Sequence, residues 1–283
     1  MESIDLHIHT VYSDGTFKPK EIVTCAKAKG LSAISITDHD TINGLEEGKK
    51  YAQSLGIEFI NGVEINSCCT LNNRVIRIHI LGYMFDAAAL KGYMEGLKEA
   101  REEHNNEIFK ALHRIGIDLD YMDLEMQFDE SMPTRLNFAK ALVKKGYART
   151  VDHALKEFLH KEGKAYVEFH DQPFSVVVQQ IHAAGGIVSF AHPAQCGLCD
   201  EELEILVGYL VGEGLDAIEC IHPSHDILYA HKMMNLASEY HLMRTGGSDF
   251  HGKSATGIDL GMGGDQMAIP QEFFNILRKK RCI

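Results

Sequence analysis

I-D-L-H-I-H-T-V-Y-S-D-G, residues 4–15, decides how the rest of the chain is read. Ile4, Leu6 and Ile8 alternate with Asp5, His7 and His9, which is the two-residue period of a β-strand. One face of that strand is apolar, and the other carries two imidazoles pointing the same way. Buried polar groups cost free energy when unsatisfied, so a core strand does not hold paired histidines without a partner. A divalent metal is one such partner, because neutral imidazole is a common ligand. Taken singly, the pair is more simply explained by two histidines bonded to their neighbours. The positions that follow decide between the two.

Outward from this strand the chain alternates helix and strand. Pro19 opens a helix through Lys29, and Gly30 closes it. Leu31–Thr37 reads as a buried strand running into Asp38-His39-Asp40. Asn43 is the expected cap of a helix through Leu55, with Gly56 beyond it. Ile57–Ile65 is extended, broken by Asn61-Gly62, with Glu64 at its end; Arg74–Tyr83 alternates again and holds His79. This rhythm predicts a parallel sheet or barrel.

From about Asp86 to Gly163 the rhythm stops. Ala88–Ile115, Thr134–Lys145 and Thr150–Lys161 read as helices, ended by Gly116, Gly146 and Gly163. It then resumes: helix Pro173–Ala184, strand Ile187–Ala191 before His192-Pro193, helix Glu201–Glu213, and strand Asp216–Ile221 before His222-Pro223-Ser224-His225. A helix to about Tyr240 follows, then strand Leu242–Thr245 before Gly246-Gly247-Ser248-Asp249-Phe250-His251, and a last helix Gln271–Lys280. The expected organisation is a barrel domain of residues 1–85 and 164–283, interrupted by an inserted helical lid subdomain, 86–163. Seven strand candidates fall one short of the common eight-stranded βα barrel.

The bulk numbers narrow the class. The 283 residues are 45% hydrophobic and 24% charged, as in an ordinary soluble globular protein with a sizeable core. No apolar run approaches the roughly 20 residues needed to span a bilayer, and the N-terminus has no basic region followed by an apolar one. The expectation is a cytoplasmic protein with no membrane partner. Seven scattered cysteines suit a reduced compartment, and Cys196-x-x-Cys199 has no second pair at zinc-ribbon spacing. A net charge of −12 argues against binding long duplex nucleic acid, which requires phosphate neutralisation. A phosphate ester at a metal cluster stays open, since bound cations reverse the local field.

Metal-type side chains recur at the strand ends: His7, His9, Asp14, His39, Glu64, His79, His192, Asp249 and His251. In a βα barrel the C-terminal edge is where loops converge and chemistry is done. Six imidazoles and three carboxylates without a thiolate suit a borderline-to-hard divalent ion such as manganese, iron or zinc. Nine donors exceed the roughly four to six that saturate one ion, so two or three divalent metal ions are expected, with Glu64 or Asp249 bridging.

These residues lie in D-L-H-I-H-T-x-x-S-D-G, I-T-D-H-D, G-V-E-I, R-I-H-I-L-G-Y, F-A-H-P and G-S-D-F-H, between residues 5 and 251. In that order they resemble the PHP (polymerase and histidinol phosphatase) metallo-phosphoesterases. The resemblance implies an α/β fold, a distorted (β/α)7 barrel, and a trinuclear metal centre held by the nine residues above. Chain length, the helical insert and Pro223-Ser224-His225 resemble the subgroup of small nucleotide phosphoesterases. Some of these remove the 3′-phosphate of 3′,5′-bisphosphonucleosides, and others trim short RNA from the 5′ end. Arg101 and Thr134-Arg135 fall where that subgroup grips phosphate.

The expected activity is hydrolysis of a small phosphomonoester, a nucleotide first, by attack of hydroxide activated by the metals. No protein nucleophile is legible. Asp40 is expected to bond substrate or orient a ligand, or else to cap the next helix. His225 is the candidate general acid or phosphate ligand, against a plain role in starting a helix. Ser248, Gly246 and Gly247 are expected to let the backbone pass close to the metals. His222, His170 and His182 are read as structural. Histidinol phosphate and short oligonucleotides are the rival substrates, and a non-catalytic metal-binding regulatory domain is the rival outside enzymes.

Overall fold

The structure, a computed structural model, describes residues 2–124, 132–252 and 258–280. Eight strands form one mixed sheet: β1 Ser3–Asp5, β2 Leu31–Ile36, β3 Glu58–Leu71, β4 Arg74–Tyr83, β5 Gln172–Pro173, β6 Ile187–Phe190, β7 Ala217–Ile221 and β8 Met243–Gly246. They run in the order β1-β2-β3-β4-β6-β7-β8, while β5 pairs with β3 beside that path. Beyond β1 the chain stays extended, and the sheet's two edges meet there. The Leu6 amide donates to the Gly246 carbonyl at 3.2 Å, the His9 amide to the Phe250 carbonyl at 2.9 Å, and Ile8 faces Phe250 in a parallel bridge. The sheet thus closes on itself as a distorted barrel of seven strands plus the two-residue β5. Closure needs a glycine: a Cβ on Gly247 would stand 2.1 Å from the Cβ of His7. What Gly247 permits is the approach of the two sheet edges.

One strand departs from the parallel order that the alternation predicts. β4 runs antiparallel to both β3 and β6. The cause is local: Asn72 and Asn73 both take positive φ, 49° and 61°, the pair of conformations a two-residue hairpin loop demands. A tight turn joins only antiparallel strands, so β3 and β4 form a long hairpin with Glu64 and His79 on it.

The helices follow the sequence closely, with shifts at their ends. They are α1 Pro19–Ala28, α2 Leu45–Leu55, α3 Ala87–Arg114, α4 Arg135–Lys144, α5 Val151–Ala154, α6 Phe174–Ala183, α7 Asp200–Gly212, α8 Ile227–Glu239 and α9 Gln271–Lys280. Gly44, not Asn43, occupies the cap position of α2. The helix expected over Thr150–Lys161 tightens to α5, then widens into a π turn at Leu155–Leu159. No described helix is long and apolar enough to cross a membrane.

The chain divides into two compact units, Met1–Met94 with Asp171–Ile283, and Glu95–His170. In the first, Ile4, Leu6, Ile8, Ile34, Ile36, Phe190 and Phe274 are fully or almost fully buried. Burying a side chain of this size contributes about 1.5–3 kcal/mol. The second has its own core, built on Phe109, Leu112, Phe138, Leu142 and Phe158. The Phe109 and Phe138 rings lie 4.8 Å apart in a tilted arrangement.

Candidate metal centre

β1 ends one residue before Leu6, and its extended continuation keeps the alternation that the sequence shows. Leu6 and Ile8 face the core, while His7 and His9 are fully buried on the opposite side. His39 follows β2, Glu64 and His79 stand on the β3–β4 hairpin, His192 follows β6, and Asp249 and His251 follow β8. Asp14 arrives from the loop after β1. All nine sequence-predicted metal-type residues converge.

Glu64 is the hub. Its Oε1 lies 2.8 Å from His79 Nδ1 and 2.9 Å from His192 Nε2. Its Oε2 lies 3.2 Å from His7 Nε2, 3.1 Å from His9 Nε2 and 3.2 Å from His39 Nδ1. Asp249 Oδ1 sits 3.3 Å from His7 Nε2 and 3.2 Å from His9 Nε2. Asp14 reaches His251 Nε2 at 3.2 Å and His9 Nδ1 at 3.6 Å. Donor atoms of His9, Asp14, His39 and His251, of His7, His9, Glu64 and Asp249, of His39, Glu64 and His79, and of His7, Glu219 and His222 form four sets compact enough to hold a cation.

The electrostatics of the cluster favour positive charge. Burial alone would lower the pKa of His9, yet the Asp249 and Glu64 carboxylates facing it push it up to about 10. Burial likewise opposes protonation of His7, but the Glu219, Glu64 and Asp249 carboxylates hold it well above the usual imidazole range. Burial would raise Glu64, and the surrounding histidines hold it well below the carboxylate range. Asp249 and Asp14 are held low in the same way, against their burial. His39 moves in the opposite direction, lowered by burial to about 4. Acids that drag buried imidazoles toward imidazolium also attract a metal cation. The residues fit that occupant: His9 Nε2 and His39 Nδ1 are buried without a hydrogen-bond partner, and the donor set is imidazole and carboxylate.

Two members of the cluster were missed in the sequence. Glu219, fully buried on β7, bonds His7 Nδ1 at 3.0 Å and accepts the His192 amide at 2.7 Å. Its signal was available, as the lone charge in Ala217-Ile-Glu-Cys-Ile221. His222, read as structural, lies in the cluster with Nε2 at 3.2 Å from Asp249 Oδ2. That reading is corrected: the residue touches a candidate ligand. His182 does stay apart, bonded to Asp216 at 2.7 Å, and His170 is exposed in the helical unit.

Other expectations also change. Asp40 does not cap α2. Its carboxylate accepts from the Asn66 amide at 3.1 Å and from Asn66 Nδ2 at 2.7 Å, pinning β3 two residues beyond Glu64. His225 Nδ1 lies 3.0 Å from the Cys220 carbonyl, which can only accept, so the proton sits on Nδ1. Nε2 is left buried with no hydrogen-bond partner, and burial lowers the pKa to about 4. In this arrangement the ring is neutral and its bare Nε2 is an acceptor. Ser248 donates its amide to Asp5 at 3.0 Å; Asp5 also takes the His7 amide, tying β1 to the loop after β8.

Arg101, Thr134 and Arg135 belong to the helical unit. The Arg101 guanidinium lies 3.9 Å over the Phe169 ring. Thr134 precedes α4, and its amide and hydroxyl both donate to Asn137 Oδ1, at 2.9 and 2.8 Å. Burial lowers the pKa of His104, and the charges of Arg101 and Arg135 add to that shift.

Comparison with known proteins agrees with this geometry. The chain is 32% identical to a 5′-3′ exoribonuclease of Haemophilus influenzae, over 87% of this chain and 89% of that one. It is 30% identical to a 3′,5′-nucleoside bisphosphate phosphatase of Chromobacterium violaceum, over 92% and 91%. Among solved structures it superposes on a Chromobacterium violaceum amidohydrolase with bound sulfate at TM-score 0.79 and 29% identity, covering 98% and 96% of the two chains. A Bifidobacterium adolescentis protein shares the fold at TM-score 0.78 and 24% identity, covering 99% and 96%. The sequence profile of the PHP domain matches residues 5–172. With that match, and with relatives at this identity along most of its length, the chain belongs to the PHP family.

Proposed function

We propose that this phosphoric ester hydrolase acts on a small nucleotide, a 3′,5′-bisphosphonucleoside first, at a centre of two or three divalent ions held by His7, His9, Asp14, His39, Glu64, His79, His192, Asp249 and His251. One observation carries the reading. Five imidazole nitrogens from five histidines lie within 3.2 Å of the two oxygens of Glu64. A carboxylate cannot accept that many hydrogen bonds, whereas one that bridges cations gathers such a ring of ligands. When bound, divalent ions supply Lewis acidity and acidify a water molecule at neutral pH.

The chain's own residues do the rest. Glu64 and Asp249 would hold the ions and set the negative field that attracts them. Asp40 holds β3 in place through Asn66. Arg101 and Arg135 offer guanidinium groups to a substrate phosphate, for which the planar fork is suited, and Thr134 offers a hydroxyl beside them. Manganese, iron and zinc all suit the donor set. The six described cysteines are free thiols, which suits the cytoplasm.

The Haemophilus influenzae relative, an exoribonuclease by name, favours short RNA as the second reading. Turnover should be compared on a 3′,5′-bisphosphonucleoside, a nucleoside monophosphate, histidinol phosphate and a 5′-phosphorylated RNA of a few nucleotides, on metal-analysed protein. Highest kcat/KM on the bisphosphate supports the proposal, and highest kcat/KM on RNA supports the second reading. Activity on none of them, with metal bound, would remove both.

A further inference from the structure

Along the sheet path, β1, β2, β3, β4, β6 and β8 each carry, or lead into, at least one of the nine clustered side chains; β7 supplies none. It nevertheless carries the buried Glu219 and leads into the buried His222. We infer that β7 is an orienting strand: Glu219 and His222 fix the ring proton of His7 and the aim of His192 and Asp249, so that their bare atoms are turned into the cluster. The inference rests on reading the cluster as a divalent-metal centre.

The hydrogen bonds make the case atom by atom. The Ser224 amide, which can only donate, points at His222 Nδ1 at 3.0 Å. Nδ1 therefore carries the lone pair, and Nε2–H donates to Asp249 Oδ2 at 3.2 Å. Asp249 Oδ1 is left facing His7 and His9. Glu219 Oε1 accepts Nδ1–H of His7 at 3.0 Å, so in the neutral ring, the form that binds a cation, the lone pair is on Nε2. That lone pair faces oxygens of Glu64 and Asp249 at 3.2 and 3.3 Å, an arrangement that a cation between them reconciles. Glu219 Oε2 accepts the His192 amide at 2.7 Å, where His192 has a positive φ of 26°. A strained backbone of this kind persists when its surroundings hold it, and here it aims His192 Nε2 at Glu64. Metal-bound histidines commonly donate their second nitrogen to such a carboxylate.

The geometry makes Glu219→Gln informative. The amide oxygen must stay with the His192 N–H, so the NH2 group meets His7 Nδ1. The ring proton then moves to Nε2, where it blocks the cation. The test is calorimetric titration of the full-length wild type, Glu219→Gln and His222→Phe with Mn²⁺, with melting of the metal-free proteins and ring-nitrogen NMR of the zinc-loaded forms. The expected result is a loss of Mn²⁺ affinity of about 10–100-fold in each variant, with melting of the metal-free protein close to wild type and a changed His7 tautomer in Glu219→Gln. Affinity within about twofold of wild type in both variants would overturn the inference. So would lost affinity in Glu219→Gln with the His7 tautomer unchanged, since that makes Glu219 a ligand. If Glu219→Gln does not fold, His222→Phe decides by the same affinity criterion. A wild type that binds no Mn²⁺ or Zn²⁺ instead sinks the metal-centre reading itself.

Discussion

Replacing Glu64 removes the anion that five imidazole nitrogens share. Glu64→Ala or Asp249→Ala should drop turnover to background and reduce bound metal, while circular dichroism stays that of the wild type. Wild-type turnover in either variant would contradict the bridging role. Arg135 makes a different prediction, because it belongs to the helical unit and not to the cluster. Arg135→Ala should raise KM for a bisphosphate several-fold more than it lowers kcat, as expected when a residue binds ground and transition states alike. Equal KM for bisphosphate and monophosphate substrates in wild type and variant would remove it from the site. Which residues meet in the cluster was legible from residue type and position. Which tautomer each histidine holds was not, because that depends on partners such as Glu219 and the Ser224 amide.

The β3–β4 hairpin shows what a single element contributes. It places Glu64 and His79 on adjacent antiparallel strands, with Asn66 directly opposite His79. Its two-residue turn depends on left-handed conformations that asparagine tolerates and alanine does not. Asn72→Ala and Asn73→Ala should each destabilise the protein by about 1 kcal/mol, and Asn73→Gly should not. Urea unfolding monitored by circular dichroism measures this. An alanine pair as stable as wild type would show that β3 and β4 pair without help from the turn. Alternation in Arg74–Tyr83 identified a strand correctly, but periodicity carries no information about direction. The Asn-Asn pair did carry it.

At the scale of the whole molecule, Asp216 ties separate elements together. It bonds His182 on α6 at 2.7 Å, the Val188 amide on β6 at 3.0 Å, and Lys280 on α9. Burial would raise its pKa, but Lys280, the Val188 amide and His182 hold it below the ordinary carboxylate range. A depressed carboxylate stabilises the fold above its unfolded pKa, near about 3.9, and that contribution fades as pH falls through the folded value. Asp216→Asn should therefore be less stable than wild type at pH 7, by about 1–3 kcal/mol, and the gap should narrow in acid. A gap that is constant from pH 7 to about pH 3 would contradict the assignment. Chelation acts on the whole molecule too. EDTA should lower the melting temperature as well as abolish turnover, because a ligand bound by the folded state alone stabilises it by mass action.

The sequence by itself determined the strand–helix rhythm, the helical insertion and the nine residues of the cluster. Each of these is written in local periodicity, or in polar residues placed at the ends of apolar runs. Tertiary structure decided the antiparallel β4, the closure of β1 onto the loop after β8, and the place of Glu219 and His222 behind the candidate ligands. The physical reason is separation along the chain. His7 and Glu219 are 212 residues apart, and no pattern within one segment records a hydrogen bond that forms only when the sheet closes.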